Sequence, residues 1–190
     1  MRTEAKQFSH APVRTKRSGL AWLCTAALLC PGSGRAQDHA LAIEFQPRTP
    51  EQMQAFYSAR GFPQPMVALL AKQCFITVRV HNTSDRVVWL ELADWRFSAG
   101  GKALHRRTRE EWKSIWAEME IPLASQSTFR WTLLPESLDF QPGEREGGNI
   151  ILPPTVEPIR LQAQFATGSD RHGAPLRRSF DHLRCEPQNR

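Results

Sequence analysis

The sequence predicts a mainly β protein: an immunoglobulin-like antiparallel β-sandwich of about seven strands with short helical decorations. Three observations favour this class. Short segments with alternating apolar residues recur along the chain, the segments between them are rich in Gly and Pro, and the strand–helix–strand rhythm of a parallel sheet is missing from the pattern. A hydrophobic content of 41% excludes a disordered chain, and 190 residues suffice for one domain.

Residues 1–36 have the layout of a cleavable signal peptide. A basic stretch over residues 1–19 precedes an uncharged apolar run over residues 20–30, and the small residues Gly34 and Ala36 then suit a cleavage site after Ala36. The apolar run is too short for a transmembrane helix, which needs about 20 residues. We therefore expect a bacterial periplasmic or secreted protein with no transmembrane segment after signal cleavage.

Cleavage would change the meaning of the charge. The full chain has a formal net charge of +6, but residues 1–36 hold six basic residues and one acid, so residues 37–190 keep 19 basic and 18 acidic residues, a net charge of +1. Phosphate binding relies on a standing excess of Lys and Arg. The sequence therefore predicts no nucleic-acid partner, and a protein partner in the cell envelope is the expected one.

The cysteines support an oxidising compartment. Of the 4 cysteines, Cys24 and Cys30 leave with the signal peptide, which leaves Cys74 and Cys185. Two remaining cysteines in an exported protein most often form a disulfide bond, and we predict that bond here. A free nucleophilic Cys74 is the alternative.

The elements are predicted in chain order. Residues 37–48 form a lead-in segment, and residues 49–190 form a single β-sandwich domain that begins with a helical part. Thr49, with Pro50 and Gln52 behind it, has the pattern of a helix start, and a second short helix is predicted over residues 65–72.

Alternating segments follow from Cys74 onward. The segments 74–80 and 87–92, joined by the polar turn 81–86, predict an antiparallel hairpin. A helical insertion is predicted near 108–120, because Thr108 and Glu111 have the spacing of a capping box. The sequence Gly147-Gly148-Asn149 is interpreted as a turn. The remaining strands are predicted over residues 127–134, 150–152, 159–165 and 176–185.

Catalytic motifs are missing from the sequence, which favours a non-enzymatic protein. There is no Gly-x-Ser-x-Gly elbow, no His-Glu-x-x-His and no P-loop. The leading hypothesis is an exported protein with a non-catalytic binding or accessory role in a larger envelope system, without a cofactor. A hydrolase with an unfamiliar carboxylate site is a further alternative, and a cleft that gathers Glu91, Asp94 and His105 would favour it.

A second alternative is a periplasmic copper- or nickel-binding protein. Cleavage after Ala36 would create the terminus Gln37-Asp38-His39, whose amine, two backbone amides and imidazole can supply four nitrogens in a plane. The competing interpretation is that His39 is an exposed residue of the terminus.

Tryptophan is the other unusual feature. Two interpretations are open for Trp89, Trp112 and Trp116. Trp89 covers the outside of its sheet beneath the helix that carries Trp112 and Trp116, or some of these rings form an exposed binding patch for a partner protein, glycan or apolar ligand.

Overall fold

The computed structural model describes residues 40–187, so the predicted signal peptide and the terminus Gln37, Asp38 and His39 lie outside the described residues. Strands hold 41% of these described residues and helices 26%, which confirms the prediction of a mainly β protein with a few helices. The strands are β1 Leu41–Arg48, β2 Cys74–Asn82, β3 Val88–Glu91, β4 Arg96–Ala99, β5 Lys102–Leu104, β6 Ser137–Phe140, β7 Arg145–Leu152, β8 Ile159–Thr167 and β9 Gly173–Leu183. The helices are α1 Pro50–Ser58, α2 Gln64–Leu70, α3 Arg109–Glu118 and α4 Leu123–Thr132, with one 3₁₀ turn at Leu92–Asp94.

The first sheet, sheet A, has three antiparallel strands in the order β1-β2-β7. Val78 at the middle of β2 lies opposite Phe45 of β1 and Gly148 of β7, which fixes the register of all three. Residues 37–48 were predicted only as a lead-in, whereas β1 occupies most of that range. Its alternation of Leu41, Ile43 and Phe45 places these three residues toward the core.

The second sheet, sheet B, is arranged around β8. Strand β9 pairs along one edge of β8, while β4 and then β3 share the other edge. Between β3 and β4 the register shifts by three residues, because the 3₁₀ turn Leu92–Asp94 interrupts what is otherwise one bent strand. Strands β5 and β6 extend the sheet beyond β4 and β3.

The two sheets share one buried core. From sheet A it takes the side chains at Cys74, Ile76, Val78 and Val80, the face that the alternation of β2 predicts. From sheet B it takes mainly the inward residues of β3, β4 and β8, including Leu90, Phe97, Ile159, Leu161 and Phe165. The predicted disulfide bond is present: Cys74 and Cys185 are bonded across 111 residues, with their Cα atoms 5.2 Å apart.

A second core lies on the other face of sheet A, where the four helices pack. Phe75 of β2 and Ile151 of β7 point away from the first core and are buried beneath these helices. Residues 74–76 and 150–152 are consequently buried on both faces of the sheet, which explains their continuous apolar sequence. The helical residues of the second core are Met53, Tyr57, Met66, Val67, Leu70, Trp112, Trp116 and Phe129.

The helix starts at α1 and α3 confirm the predicted caps. The Thr49 side chain accepts from the Gln52 amide, and the Thr108 side chain accepts from the Glu111 amide, each in a reciprocal capping box. In the part of the chain that the structure describes, no helix is long and apolar enough to cross a membrane.

The predicted hairpin between β2 and β3 is wrong. Strand β2 pairs with β1 and β7, whereas β3 pairs with β6 and β8, so the turn over residues 81–86 crosses from one sheet to the other. Asn82 stabilises this crossover. Its buried amide donates to the carbonyls of Arg86 and Phe140 at 2.7 and 2.9 Å, and its side-chain oxygen accepts from the Ser84 amide at 3.0 Å.

Two further assignments near the helices are corrected. The segment 127–134, predicted as a strand, lies largely in helix α4, because only Phe129 and then Leu133 point into the second core. The glycines of Gly147-Gly148-Asn149, predicted as a turn, lie inside β7. Gly148 is there because the chain at residues 133–134 passes against it: a Cβ atom at Gly148 would come within 2.3 Å of the Leu134 nitrogen.

Candidate functional site

An open cleft of about 610 Å³ lies between helices α1 and α4, above the face of sheet A on which the helices pack. We call it the Trp131 cleft. One wall belongs to α1 and the turn after it, the opposite wall belongs to α4, and the floor consists of β2 and β7 with the end of β1. Its lining residues are Arg48, Gln52, Met53, Phe56, Arg60, Thr77, Arg79, Thr128, Trp131, Thr132, Gly147, Gly148 and Asn149.

The floor of the cleft is polar and ordered by hydrogen bonds. Thr77 of β2 lies opposite Asn149 of β7, and its hydroxyl donates to the Asn149 side-chain oxygen at 2.8 Å. Arg48 at the end of β1 donates its Nε–H to the Thr77 hydroxyl at 2.9 Å. Gly147 and Gly148 contribute only backbone to the floor, and the chain at residues 133–134 passes against Gly148.

Tyr57, buried beneath the cleft, forms hydrogen bonds with Thr132 of the α4 wall and Asn149 of the floor. Its ring is fully buried, and its hydroxyl is 2.9 Å from the Thr132 hydroxyl. Burial raises the pKa of Tyr57 to about 12, despite hydrogen bonds with Thr132 and Asn149 that act in the opposite direction. The phenol therefore keeps its proton at physiological pH and positions the walls instead of supplying a base.

Three arginines make the cleft positive. Arg60 stacks over the Phe56 ring at 3.5 Å and donates to the Phe56 carbonyl, which holds its guanidinium against α1. Arg79 has a carboxylate partner in Glu44, but the atoms are 3.9 Å apart and both side chains are mostly exposed, so the pairing neutralises little charge. Among the described residues that line the cleft, no Asp or Glu accompanies these arginines.

Trp131 leaves its ring in solvent. The side chain is 81% exposed, although four other tryptophans of the described chain are buried or half-buried. The register of α4 explains this position: Phe129 points into the second core, and Trp131, two residues on, points away from it. An exposed indole lacks the roughly 1.5–3 kcal/mol of stabilisation that burial would give, so the presence of Trp131 at this position is not explained by its contribution to stability.

Trp112 and Trp116, which were also considered for an exposed binding patch, are buried. Each is 1% exposed, the two rings are stacked with centroids 5.1 Å apart, and Phe129 meets both edge-on. The helical stripe of α3 turns them into the second core, which is the packing interpretation. A groove of about 300 Å³ between α3 and α4 reaches the edges of these rings only.

Trp89 is covered in a different way. It lies half-buried on sheet B, where its indole N–H donates to the Gly168 carbonyl at 2.7 Å. The guanidinium of Arg171 stacks 4.1 Å from the ring centre and also pairs with Glu91 at 3.0 Å. Trp89 is thus a support for the loop between β8 and β9, separate from the Trp112 and Trp116 pair.

The carboxylates considered for a hydrolase have different partners. Glu91 pairs with Arg171 and accepts from Ser137, whereas His105 is 2.7 Å from Glu111. Asp94 lines a shallow groove on the outer face of sheet B. The backbone of Thr108 and the His105 side chain lower the pKa of Glu111 to about 2, which fits its capping role.

The predicted metal ligand His39 lies outside the described residues, as do Gln37 and Asp38. Within residues 40–187, no group of three or more His, Cys, Asp or Glu side chains is placed to hold a metal ion.

Sequence reasoning missed the Trp131 cleft because it assigned residues 127–134 to a strand instead of a helix. Two signals pointed elsewhere. Pro122 stands immediately before α4 and suits the start of a new helix, and paired glycines inside an apolar segment indicate a close approach of another chain segment.

Comparisons with known proteins give no family. No protein-family model matches the chain, and no curated protein matches it. Among solved structures, the putative lipoprotein ycdA of Bacillus subtilis is similar, with 13% sequence identity and a TM-score of 0.35. The match covers 58% of this chain, which spans only 30% of the length of that protein. A likeness of this size does not establish a shared fold or function.

Proposed function

We propose that this protein is an exported, non-catalytic binding module of the bacterial envelope that acts through the Trp131 cleft. The observation that supports the proposal is the exposed Trp131 ring beside Arg48, Arg60 and Arg79 in one cleft. Aromatic rings and arginines are the side chains that most often dominate binding energy.

The same residues argue for binding instead of catalysis. Tyr57 stays protonated, Glu91 forms an ion pair with Arg171, and His105 pairs with the capping carboxylate of Glu111. The cleft offers hydroxyls, amides and cations that can hold a ligand, and its described lining supplies no group suited to general-base work at neutral pH.

The proposal includes the type of fold and the subcellular location. Two antiparallel sheets with a shared core and a disulfide bond favour an immunoglobulin-like sandwich, a scaffold common in exported binding modules. The disulfide bond favours the periplasm, and the signal-peptide pattern of residues 1–36 supplies the route.

Site-specific photocrosslinking in living bacteria tests this function. A benzophenone side chain replaces Thr128, which lines the cleft, or Leu123, which is 81% exposed on the same helix but outside the cleft. Because benzophenone inserts into nearby C–H bonds of peptide or glycan, we expect a discrete adduct from position 128 that Trp131→Ala removes. Identical adducts from both positions, or none from position 128, would contradict the cleft as the site.

Cell fractionation tests the proposed periplasmic location. Mass spectrometry of the periplasmic fraction should find a chain that begins at Gln37 with the Cys74–Cys185 bond formed. A chain that stays in the cytoplasm with free thiols would refute this part of the proposal.

A further inference from the structure

We propose that the Trp131 cleft binds acidic sugars, with a carboxylated pyranose lying on the Trp131 ring and its carboxylate held by the arginines of the floor and the α1 wall. The inference rests on the proposed binding function and names the ligand class of that site.

The Trp131 ring matches the apolar face of a sugar. It is 81% exposed and lies at the edge of an open cleft, so a flat ligand can cover it from the solvent side. Burial of an aromatic face beneath a ring-shaped ligand recovers the hydrophobic free energy that the free protein forgoes. An exposed aliphatic side chain such as Leu123 offers no comparable flat surface.

The arginines select for an anion on that ligand. A guanidinium group has a planar array of donors that fits a carboxylate through two parallel hydrogen bonds. Arg48 and Arg60 are already oriented, the first by Thr77 at 2.9 Å and the second by the Phe56 ring and carbonyl. Oriented side chains lose less conformational freedom when the ligand binds.

The neutral polar groups match the hydroxyls of a sugar. Gln52, Thr128 and Asn149 line the two walls and the floor. The side-chain oxygens of Gln52 and Asn149 already accept hydrogen bonds, so their NH₂ groups are the donors for a ligand, and the Thr128 hydroxyl, which donates to the Ala124 carbonyl, can accept. A volume of about 610 Å³ lies within the range of ~300–1,000 Å³ that small-molecule sites occupy. The cleft is open, so a longer glycan can continue beyond the bound unit.

Two other anionic ligands fit the chain less well. Single-stranded nucleic acid also uses aromatic rings and cations, but it requires a positive excess along the backbone, and residues 37–190 have a net charge of only +1. A peptide carboxyl terminus is recognised mainly by backbone amides of a nest. Here the polar groups are side chains on three strands and two helices, with hydroxyls among them.

Calorimetric titration of the disulfide-bonded chain 37–190 tests the inference. The probes are trigalacturonate, its methyl ester as the neutral match, a short peptide with a free carboxyl terminus, and a short oligothymidylate. We expect micromolar to millimolar affinity for trigalacturonate and at least tenfold weaker binding of the ester. Trp131→Ala and Arg48→Gln should each weaken trigalacturonate binding at least tenfold.

Matched variants separate the cleft from other surfaces. Leu123→Ala removes an equally exposed side chain from α4, and Arg177→Gln removes an arginine from the outer face of sheet B. Both should bind trigalacturonate like the natural sequence. Because Trp131 is exposed, Trp131→Ala should leave the melting temperature unchanged, so its loss of binding cannot come from unfolding.

The outcomes distinguish this inference from the proposed function. Equal affinity for the acid and its ester, no binding of trigalacturonate, or preference for the peptide or the oligonucleotide overturns the inference. If the Trp131-dependent crosslink from position 128 persists in that case, the binding function stands with another ligand. If both the crosslink and the titration fail, the proposed function falls as well.

Discussion

Loss of the Cys74–Cys185 bond should cost this protein much of its stability. The bond closes a loop of 111 residues, for which the chain-entropy relation gives about 4.8 kcal/mol at 25 °C. For a domain of this size each kcal/mol corresponds to about 2–4 °C in melting temperature. Reduction should therefore lower the melting temperature by roughly 10–20 °C.

The assay compares three samples of the chain 37–190 by circular dichroism: oxidised, reduced with dithiothreitol, and the variant with Cys74→Ala and Cys185→Ala. The reduced chain keeps both sulfur atoms, so its difference from the oxidised chain reports the cross-link alone. The variant also loses the packing of Cys74, whose side chain is 3% exposed in the first core, and should melt lower still. A reduced chain that melts within about 3 °C of the oxidised chain would refute the loop-closure reasoning.

Three smaller perturbations follow from single residues. Glu120 lies just beyond the end of α3 with φ 53°, so Glu120→Gly should stabilise by about 1 kcal/mol in a urea titration, whereas Glu118→Gly at the last helical residue should give no stabilisation. Gly148→Ala should destabilise by about 3 kcal/mol or more, measured as a lower melting temperature, because the new Cβ meets the backbone of Leu134 at 2.3 Å; an unchanged melting temperature would contradict this contact. Glu111 has a pKa lowered from 4.5 to about 2, so its charge stabilises the fold above pH 4.5, and this contribution is lost as the pH falls toward 2. Glu111→Gln keeps the cap without the charge. In urea titrations this variant should therefore lose less stability than the natural sequence between pH 4.5 and 2.

The sequence was informative wherever one physical cause determined a local structure. The capping boxes at Thr49 and Thr108 were found because they depend on side chains three residues apart. The inward face of β2 followed from the alternation beginning at Cys74, and the disulfide bond followed from cysteine count and compartment.

Prediction failed where partners distant in sequence decide the outcome. The turn at Asn82 has the composition of a hairpin turn, but the Asn82 amide donates to Phe140, 58 residues away, and directs the chain into the other sheet. Segment 127–134 alternates like a strand, yet the second core accepts only Phe129 and Leu133 from it. The periodicity of apolar residues predicts which side chains are buried, but it does not show whether the protein has one core or two.

The candidate site was missed for the same reason. The cleft lies between the helices and sheet A. It forms because the helices pack on one face of sheet A while the other face belongs to the core shared with sheet B. Residues 127–134 were assigned to a strand, and Thr77, Arg79 and Asn149 had no recognisable motif. The residues converge from β2, β7, α1 and α4, which are brought together by the tertiary fold.

The helical insertion also suggests how the binding surface could diversify. The chain leaves sheet B at Leu104 and returns at Ser137, and β5 and β6 lie along the same edge of that sheet. On α4, Thr128 and Trp131 line the cleft, whereas Phe129 packs in the second core with Trp112 and Trp116 of α3. The positions that would change specificity are therefore distinct from those that maintain folding, and Thr128 and Trp131 are the positions to vary in a laboratory library.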